Sequence, residues 1–372
     1  MSAGMSDGAR QGTVTHQRRT TTSASSAHIY NNNNKEMVDT QPLPSPGLSG
    51  RRKGPKPHPK LPLSVFTPPA SNASDRFPLA PSPSSVHPKK VIDAAVKDVS
   101  SWKSESATAF GTKSDGVVVT LQSTNDIEGV PKDVTILSIS IPLPLEKGER
   151  ESLRFSASSS PLVHLRTTLS QNSPEHIESI SWALKEGFSV DLQADVVDGS
   201  DARWDILEDV ISKSIEPTQG QSQQQKGKII LSNVLPPPHS LELPIVKLLN
   251  HPLYNSYQSH IASLSLYSDV YLKLVPPAWG TPTPQAPNPN DLSKEAKEWK
   301  RRVKMFLGPA VEAFGYQRII FGSSPVSSEP SNAGDWYEIA RESVAELGLE
   351  QEDIDAIFYS NAQSVYGLTT SA

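Results

Sequence analysis

Seven short apolar runs recur between residues 117 and 322, and polar or helix-like segments separate them. Several runs are nearly continuous in Val, Ile and Leu, a pattern typical of parallel strands that are covered on both faces. The predicted strands are Val117–Leu121, Thr135–Ile141, Leu162–Thr167, Ser189–Ala194, Lys228–Val234, Val270–Val275 and Arg318–Gly322. An eighth strand would complete a barrel, and we predict it at Leu63–Thr67, where the sequence reads LSVFT.

Segments with helical periodicity lie between these runs and after the last one. The clearest start signal is Ser173–Pro174, because serine caps helices and proline is tolerated in the first turn. The predicted helices are Pro88–Ser101, Pro174–Glu186, Asp201–Ser214, Glu242–Ser265, Ser293–Phe314, Gly334–Leu347 and Gln351–Tyr366. Alternation of strand and helix over roughly 250 residues favours a TIM-like (β/α)8 barrel over an open sheet.

Residues 1–60 lack this alternation. They are rich in Ser, Thr and Asn and then in Pro and basic residues, with too little apolar surface to offset the entropy of ordering. We therefore predict a disordered tail at 1–60, followed by the α/β barrel at 61–372. The basic block Arg51–Lys60 is interpreted as a solvated linker, with a nuclear-import signal as the alternative.

The amino-acid composition excludes some kinds of functional site and bears on the cellular compartment. The 372 residues include no cysteine, which excludes disulfides, thiolate zinc ligands and a cysteine nucleophile. Residues 61–372 carry 26 Lys and Arg against 37 Asp and Glu, and such an acidic body argues against nucleic-acid binding. No apolar run reaches the roughly 20 residues that span a bilayer, and the first residues lack the apolar core of a secretory signal. We expect a cytoplasmic protein, with nuclear and mitochondrial locations as alternatives.

Charged candidates for chemistry lie on the predicted strands, near the ends where barrel enzymes build their sites. His164 and Arg166 share one face of a strand and could bind a carboxylate together, or His164 could face the helices instead. Lys273 lies in a buried run and needs an anionic partner, for which Asp195 is a candidate.

Neutral polar side chains end other predicted strands. Ser123, Gln193 and Asn233 can offer hydrogen bonds to a ligand, and Ser324 follows the last strand in the sequence GSSP. The nine histidines form no HxH or HExxH pair, so the sequence has no short metal-binding signature. Glycine-rich phosphate-binding motifs and GxSxG are also missing.

Several of these segments resemble one known family. RIIFGSSP and IFYSNAQSVYGL resemble the closing strand and final helices of the amidohydrolase-related metal-dependent hydrolases, in the branch that contains 2-pyrone-4,6-dicarboxylate lactonase. GVVVTLQST, FSVDLQAD, KIILSNVLPP and DVYLKL resemble that family's second, fifth, sixth and seventh strands, and KLPLSVFTPP reaches the place of its first strand. The resemblance covers residues 61–368. It implies a barrel that uses a divalent metal such as zinc to hydrolyse a small carboxylate, lactone or amide.

The family positions that carry chemistry are changed in this chain. The resemblance places Ser324 where the eighth strand has aspartate, Asn233 where the sixth has histidine, and Gln193 where some relatives have histidine; Lys273 is retained. The first-strand HxH is missing as well, either truly or through an error in the assigned coding sequence around residues 40–70. Serine and asparagine have no group that titrates near neutral pH, so they cannot replace a general base.

Two functions follow from this combination. One is a hydrolase for a small anionic carboxylate or lactone; the other is a catalytically inactive pseudo-hydrolase that keeps the pocket for binding a small ligand or a protein. The residues predicted for catalysis are Ser324, Asn233 and Lys273. Those predicted for substrate binding are His164, Arg166, Gln193 and Ser123. No cofactor is expected, and a divalent metal enters only through the resemblance.

Overall fold

The computed structural model describes residues 82–145, 150, 153, 162–196, 200–215, 227–286 and 293–367. Within these ranges eight parallel strands form one sheet, in which each strand pairs with its neighbours in chain order. Helices connect most of the strands, so the chain forms the predicted TIM-like (β/α)8 barrel. The tail predicted at 1–60 and the strand predicted at Leu63–Thr67 lie outside the described residues. Among the helices of the described ranges, none is long and apolar enough to cross a bilayer.

The strands are short and mostly buried, as the apolar runs predict. Their bounds are β1 Val91–Val96, β2 Ser114–Thr120, β3 Ile136–Pro142, β4 Leu162–Leu169, β5 Val190–Ala194, β6 Ile229–Leu235, β7 Val270–Leu274 and β8 Ile319–Phe321. Seven of these coincide with predicted strands to within about three residues. Boundary errors of that size are expected when periodicity alone defines the ends of an element.

The helices agree with the predictions except at the first and at Glu242–Ser265, where the structure has two helices in place of one. Their bounds are α1 Val99–Phe110, α2 Pro174–Lys185, α3 Asp201–Ile215, α4 Ile245–Leu248, α5 Pro252–Leu264, α6 Lys294–Phe314, α7 Ala333–Ala345, α8 Gln351–Asp355 and α9 Asn361–Tyr366. A π-helical turn at Ala356–Ser360 joins the last two. The cap at Ser173 is confirmed, because its hydroxyl accepts a hydrogen bond from the backbone N–H of His176 at 3.3 Å.

The first strand corrects the sequence prediction. We predicted a helix over Pro88–Ser101, but this segment contains β1 and only the first turn of α1. Strand β1 therefore supplies the eighth member of the barrel, in place of the strand expected at Leu63–Thr67. The aspartate at position 93 interrupts the apolar run and obscures the strand in the sequence. Asp93 is nevertheless fully buried, because Ser323 N–H and Trp102 Nε1–H donate to its carboxylate at 2.8 and 2.7 Å.

The position of β1 also bears on the missing histidines. The carboxyl end of the strand reads Ala94-Ala95-Val96 and is followed by Lys97, with no histidine. An error in the coding sequence around residues 40–70 would not change this strand. The first strand of the described barrel has no HxH motif, because its own sequence, VIDAAV, contains no histidine.

The C-terminal segment closes the amino end of the barrel. The side-chain amide of Asn361 donates to the carbonyls of Tyr316 and Ile319 at the start of β8, at 2.7 and 2.8 Å. From this anchor, Ala362, Val365 and Tyr366 pack against apolar residues that point into the barrel. The carboxyl end is left for a site, which is the end that barrel enzymes use.

Strands β1 and β8 meet at a tightly packed seam. Ser324 N–H donates to the Ala95 carbonyl at 2.8 Å, and a Cβ added at Gly322 would lie 2.7 Å from the Ala95 Cβ. We expect Gly322→Ala to lower the free energy of unfolding by about 1–3 kcal/mol, because the added methyl overpacks this contact. Urea denaturation followed by circular dichroism measures the change.

The matched control is a strand glycine with room for a methyl. A Cβ at Gly116 in β2 would meet Thr135 O at 3.5 Å, an ordinary van der Waals contact. Gly116→Ala is expected to change stability by less than about 1 kcal/mol. Equal stabilities of the two variants would contradict the close packing of the seam.

Candidate functional site

A cavity of about 260 Å³ opens at the carboxyl end of the barrel. Every strand, or the turn directly after it, contributes to the wall. The polar residues that line it are Lys97, Thr120, Ser140, Arg166, Thr167, Thr168, Asp191, Gln193, Ser232, Lys273 and Ser324. Three of these side chains are cationic and one is anionic, so the described lining carries a formal charge of +2.

A buried ion pair occupies one side of the cavity. Lys273 Nζ contacts Asp191 Oδ2, and the Ser232 hydroxyl donates to Asp191 Oδ1 at 2.5 Å. The Lys273 side chain is 4% exposed and that of Asp191 is 16% exposed. Burial by itself lowers the pKa of Lys273, but Asp191 and Tyr366 outweigh it and hold the pKa above its ordinary value. Lys273 is therefore protonated, and it neutralises Asp191.

Arg166 and Lys97 provide the other two positive charges. Arg166 Nη2 donates to the Leu121 carbonyl and to Gln122 Oε1, both at 3.3 Å, and its Nε is buried without a partner among the described residues. The ammonium of Lys97 makes one long hydrogen bond, to the Val326 carbonyl at 3.4 Å. Neither cation forms an ion pair with a carboxylate in the described ranges, so both charges are available to a ligand.

His164 and Tyr366 form a buried layer beneath the cavity. Their rings meet edge to face with 4.8 Å between centroids, and Lys273 Nζ lies 5.4 Å from the centre of the Tyr366 ring. Burial and the charge of Lys273 lower the pKa of His164 to about 3, so the imidazole is neutral at neutral pH. Burial raises the pKa of Tyr366 to about 12. Neither ring nitrogen of His164 has a hydrogen-bond partner of ordinary geometry among the described residues.

The structure brings four of the predicted site residues to the cavity wall: Arg166, Gln193, Lys273 and Ser324. Ser324 supports the seam there, because its hydroxyl oxygen accepts the backbone N–H of Lys97 at 3.1 Å.

The other three predicted residues lie elsewhere. His164 is in the layer below the wall. Asn233 has a positive φ of 64° and donates from its side-chain amide to the Ala194 carbonyl at 2.9 Å, so it links β6 to the end of β5. Ser123 accepts the backbone N–H of Asn125 at 3.3 Å and thereby caps a short 3₁₀ segment.

Two charged residues of the wall are absent from the sequence prediction. Lys97 was missed because the end of β1 was assigned to a helix. Asp191 was missed because Asp195 was taken as the partner of Lys273; Asp195 instead pairs with Arg203 at 3.3 Å. The alternation of side chains along a strand would have found it, since Asp191 and Gln193 are two residues apart and must share a face.

Comparison with solved structures agrees with the architecture. Two crystal structures of an amidohydrolase from Burkholderia multivorans, one with bound zinc and one with bound HEPES, give TM-scores of 0.53 and 0.52 at 12% sequence identity. Each comparison covers 74% of this chain and 99% of theirs. A structure described as a probable 2-pyrone-4,6-dicarboxylic acid hydrolase from Acinetobacter baumannii, with citric acid bound, gives 0.45 at 14% identity, over 74% of this chain and 99% of that one. The sequence matches no family model and no curated protein. The chain therefore has the fold of solved amidohydrolases.

A divalent metal does not fit the residues of this cavity. Asp191 is the single carboxylate of the described lining, no imidazole lines it, and both Asp191 oxygens are engaged by Lys273 and Ser232. Across all described ranges, no group of three or more His, Cys, Asp and Glu side chains is placed to hold a metal ion. A zinc site needs three or four such ligands, and the two free cations would repel the ion.

Proposed function

We propose that the protein binds a small organic anion with carboxylate groups at the carboxyl end of the barrel. We also propose that it descends from hydrolases and lacks their metal-dependent mechanism. The observation that carries the proposal is the charge of the cavity. Asp191 is matched by Lys273, which leaves Arg166 and Lys97 without a counter-charge among the described residues. A planar guanidinium and a nearby ammonium are the groups that recognise carboxylates.

The remaining lining suits the same ligand. Thr120, Thr168 and Gln193 offer neutral hydrogen bonds, and the volume of about 260 Å³ suits a molecule smaller than most drug-sized ligands. The amidohydrolase fold supports hydrolase ancestry. The changed residues at the ends of β1, β6 and β8 support the loss of the metal mechanism.

The first test removes the guanidinium. We expect Arg166→Gln to weaken the binding of citrate by about tenfold to a hundredfold, because a charge-assisted hydrogen bond contributes roughly 1.5–3 kcal/mol. Isothermal titration calorimetry at low ionic strength measures the dissociation constant. Trimethyl citrate, which has no charge, should not bind to the wild-type protein.

The control removes one positive charge at a distance. Lys185 is exposed at the end of α2 and does not line the cavity. Lys185→Gln should bind citrate as the wild type does, apart from a small change that disappears as salt is added. Equal loss of affinity in both variants would mean that citrate is attracted by the overall charge of the protein surface and not by the cavity, and it would contradict the proposal.

Hydrolysis of a lactone or amide of the same anion is the second candidate. Asp191 favours it, because each carboxylate oxygen keeps a lone pair beyond its contact with Ser232 or Lys273 and can accept a proton from water, an effect worth roughly 10²–10⁴-fold in rate. Incubation with 2-pyrone-4,6-dicarboxylate, with and without Zn²⁺, measures the loss of pyrone absorbance. Turnover that falls in Asp191→Asn, under conditions where circular dichroism shows the variant to be folded, supports hydrolysis. If the pyrone saturates the site and is not hydrolysed, the result supports a binding protein and not a hydrolase.

A further inference from the structure

The two lysines of the cavity have different surroundings. Lys273 is almost fully buried and paired with Asp191. Lys97 lies in the turn after β1, and within the described ranges no carboxylate is close enough to pair with its ammonium, which contacts only the Val326 carbonyl. The first lysine is held as a cation, whereas nothing on the described wall holds the second in its charged form.

The surroundings of Lys97 make it easier for the ammonium to lose a proton. Partial removal from water and the positive charge of Arg166 lower the pKa of Lys97 below its ordinary value. Asp191, the carboxylate on the opposite wall, is occupied by Lys273 and does not oppose this effect. A lysine beside a second cation is a known way to obtain an amine nucleophile at moderate pH.

The backbone of Lys97 is held in place. Its N–H donates to the Ser324 hydroxyl, and Ser324 N–H donates in turn to the Ala95 carbonyl. The seam between β1 and β8 therefore fixes the Cα of Lys97 at the cavity mouth, while the four-carbon side chain can still reach a ligand.

We propose that Lys97 forms an imine with the carbonyl carbon of a small 2-oxo acid whose carboxylate is bound by Arg166. This inference rests on the proposed anion site and adds a covalent step to it. A 2-oxo acid has an electrophilic carbon next to its carboxylate, which matches an amine and a guanidinium that face the same small cavity.

The covalent step is balanced without an oxidant or reductant. The Lys97 ammonium first loses a proton to solvent, and the amine lone pair then forms a C–N bond to the carbonyl carbon. The carbonyl oxygen takes up a proton while the nitrogen loses one, which gives a carbinolamine. A second proton lets that oxygen leave as water, the nitrogen lone pair forms the C=N bond, and the nitrogen releases its last proton to solvent, so that the imine nitrogen carries the lysine side chain. Each protein molecule and each oxo acid thus yield one imine and one water.

Borohydride trapping tests the step directly. The full chain is incubated with pyruvate, reduced with sodium borohydride, digested and mapped by mass spectrometry. We expect one stable adduct on Lys97 and none on Lys273. Lys97→Arg retains the charge and should lose the adduct, because a guanidinium does not form an imine under these conditions. In Arg166→Gln the yield at subsaturating pyruvate should fall by about tenfold or more, because the carboxylate loses its anchor.

The control variant separates a built site from random modification. Lys103 is an exposed lysine of α1 that pairs with Asp133. Lys103→Arg should leave the yield unchanged. Adducts distributed equally over exposed lysines, or an unchanged total yield in Lys97→Arg, would overturn the imine proposal. If citrate binding still depends on Arg166 in that case, the anion site stands alone. If citrate does not bind at all, the proposed function itself fails.

Discussion

Asp191→Asn is expected to lower the free energy of unfolding by about 3–5 kcal/mol, the largest effect of any single substitution that we predict. Asparagine preserves the shape of the side chain but removes the charge that Lys273 requires. Lys273 is 4% exposed, so its ammonium would have to remain charged without a partner or lose its proton. Urea denaturation at pH 7.5, followed by circular dichroism, gives the difference from the wild type.

A double variant distinguishes loss of the pair from loss of one partner. Asp191→Asn combined with Lys273→Met removes both charges and should be closer in stability to the wild type than either single variant, because no unpaired charge is buried. The exposed pair between Lys90 and Asp115 is the control, with side chains 53% and 37% exposed. Asp115→Asn should cost at most about 1 kcal/mol. A cost for Asp191→Asn no larger than that of the control would contradict the buried pair.

Most of the barrel is predictable because its strands follow one simple rule. Strands covered on both faces read as nearly continuous apolar runs, and several of the eight show this pattern, as β6 and β8 do. The closing segment is the most readable, since Ile319–Phe321 is completely buried and is followed by the small polar residues that form the turn at the mouth. Local sequence and tertiary environment agree there.

Strand β1 is the exception, because tertiary contacts and not local sequence stabilise it. Asp93 is a poor strand residue by propensity, and the two alanines that follow it favour a helix. The strand is stable because the donors of Ser323 and Trp102 come from segments 230 and nine residues away in the chain. Burial raises the pKa of Asp93 and these hydrogen bonds oppose that rise, a balance that local sequence does not contain.

The ends of the predicted strands locate four residues of the candidate site, but the sequence does not identify the carboxylate that pairs with Lys273. Arg166, Gln193, Lys273 and Ser324 reach one cavity because parallel strands end at the same rim. The pairing of Lys273 depends on which strand lies beside it. Strand β5 is two strands away from β7 in the sheet. Asp191 and Lys273 meet because both side chains point into the closed barrel, which their separation in sequence does not indicate.

Acid should destabilise the protein through His164. In the unfolded chain an imidazole takes up a proton as the pH falls below about 6.5, whereas His164 in the folded state stays neutral until the pH reaches about 3. The stabilisation is therefore complete above pH 6.5 and is lost as the pH falls toward 3. By pH 4 the loss from this residue should be about 3 kcal/mol, on the basis of roughly 1.4 kcal/mol for each pH unit.

His164→Phe tests this assignment. Phenylalanine keeps the edge-to-face contact with Tyr366 and removes two buried nitrogens that have no hydrogen-bond partner of ordinary geometry among the described residues. We expect the variant to be at least as stable as the wild type at pH 7.5 and to lose about 3 kcal/mol less on acidification to pH 4. Urea denaturation at half-unit steps of pH measures both quantities.

A second buried histidine provides the comparison. Burial lowers the pKa of His239 to about 4, so it contributes to acid sensitivity in the same direction. His239 differs because Arg302 Nη1 lies 3.0 Å from its Nε2 and Trp279 packs against its ring. His239→Phe should therefore reduce the acid loss but also cost stability at pH 7.5, since Arg302 loses a hydrogen bond. If His164→Phe leaves the slope between pH 6.5 and 4 unchanged, the imidazole beneath the cavity is already protonated or exposed, and the neutral layer under Lys273 does not exist.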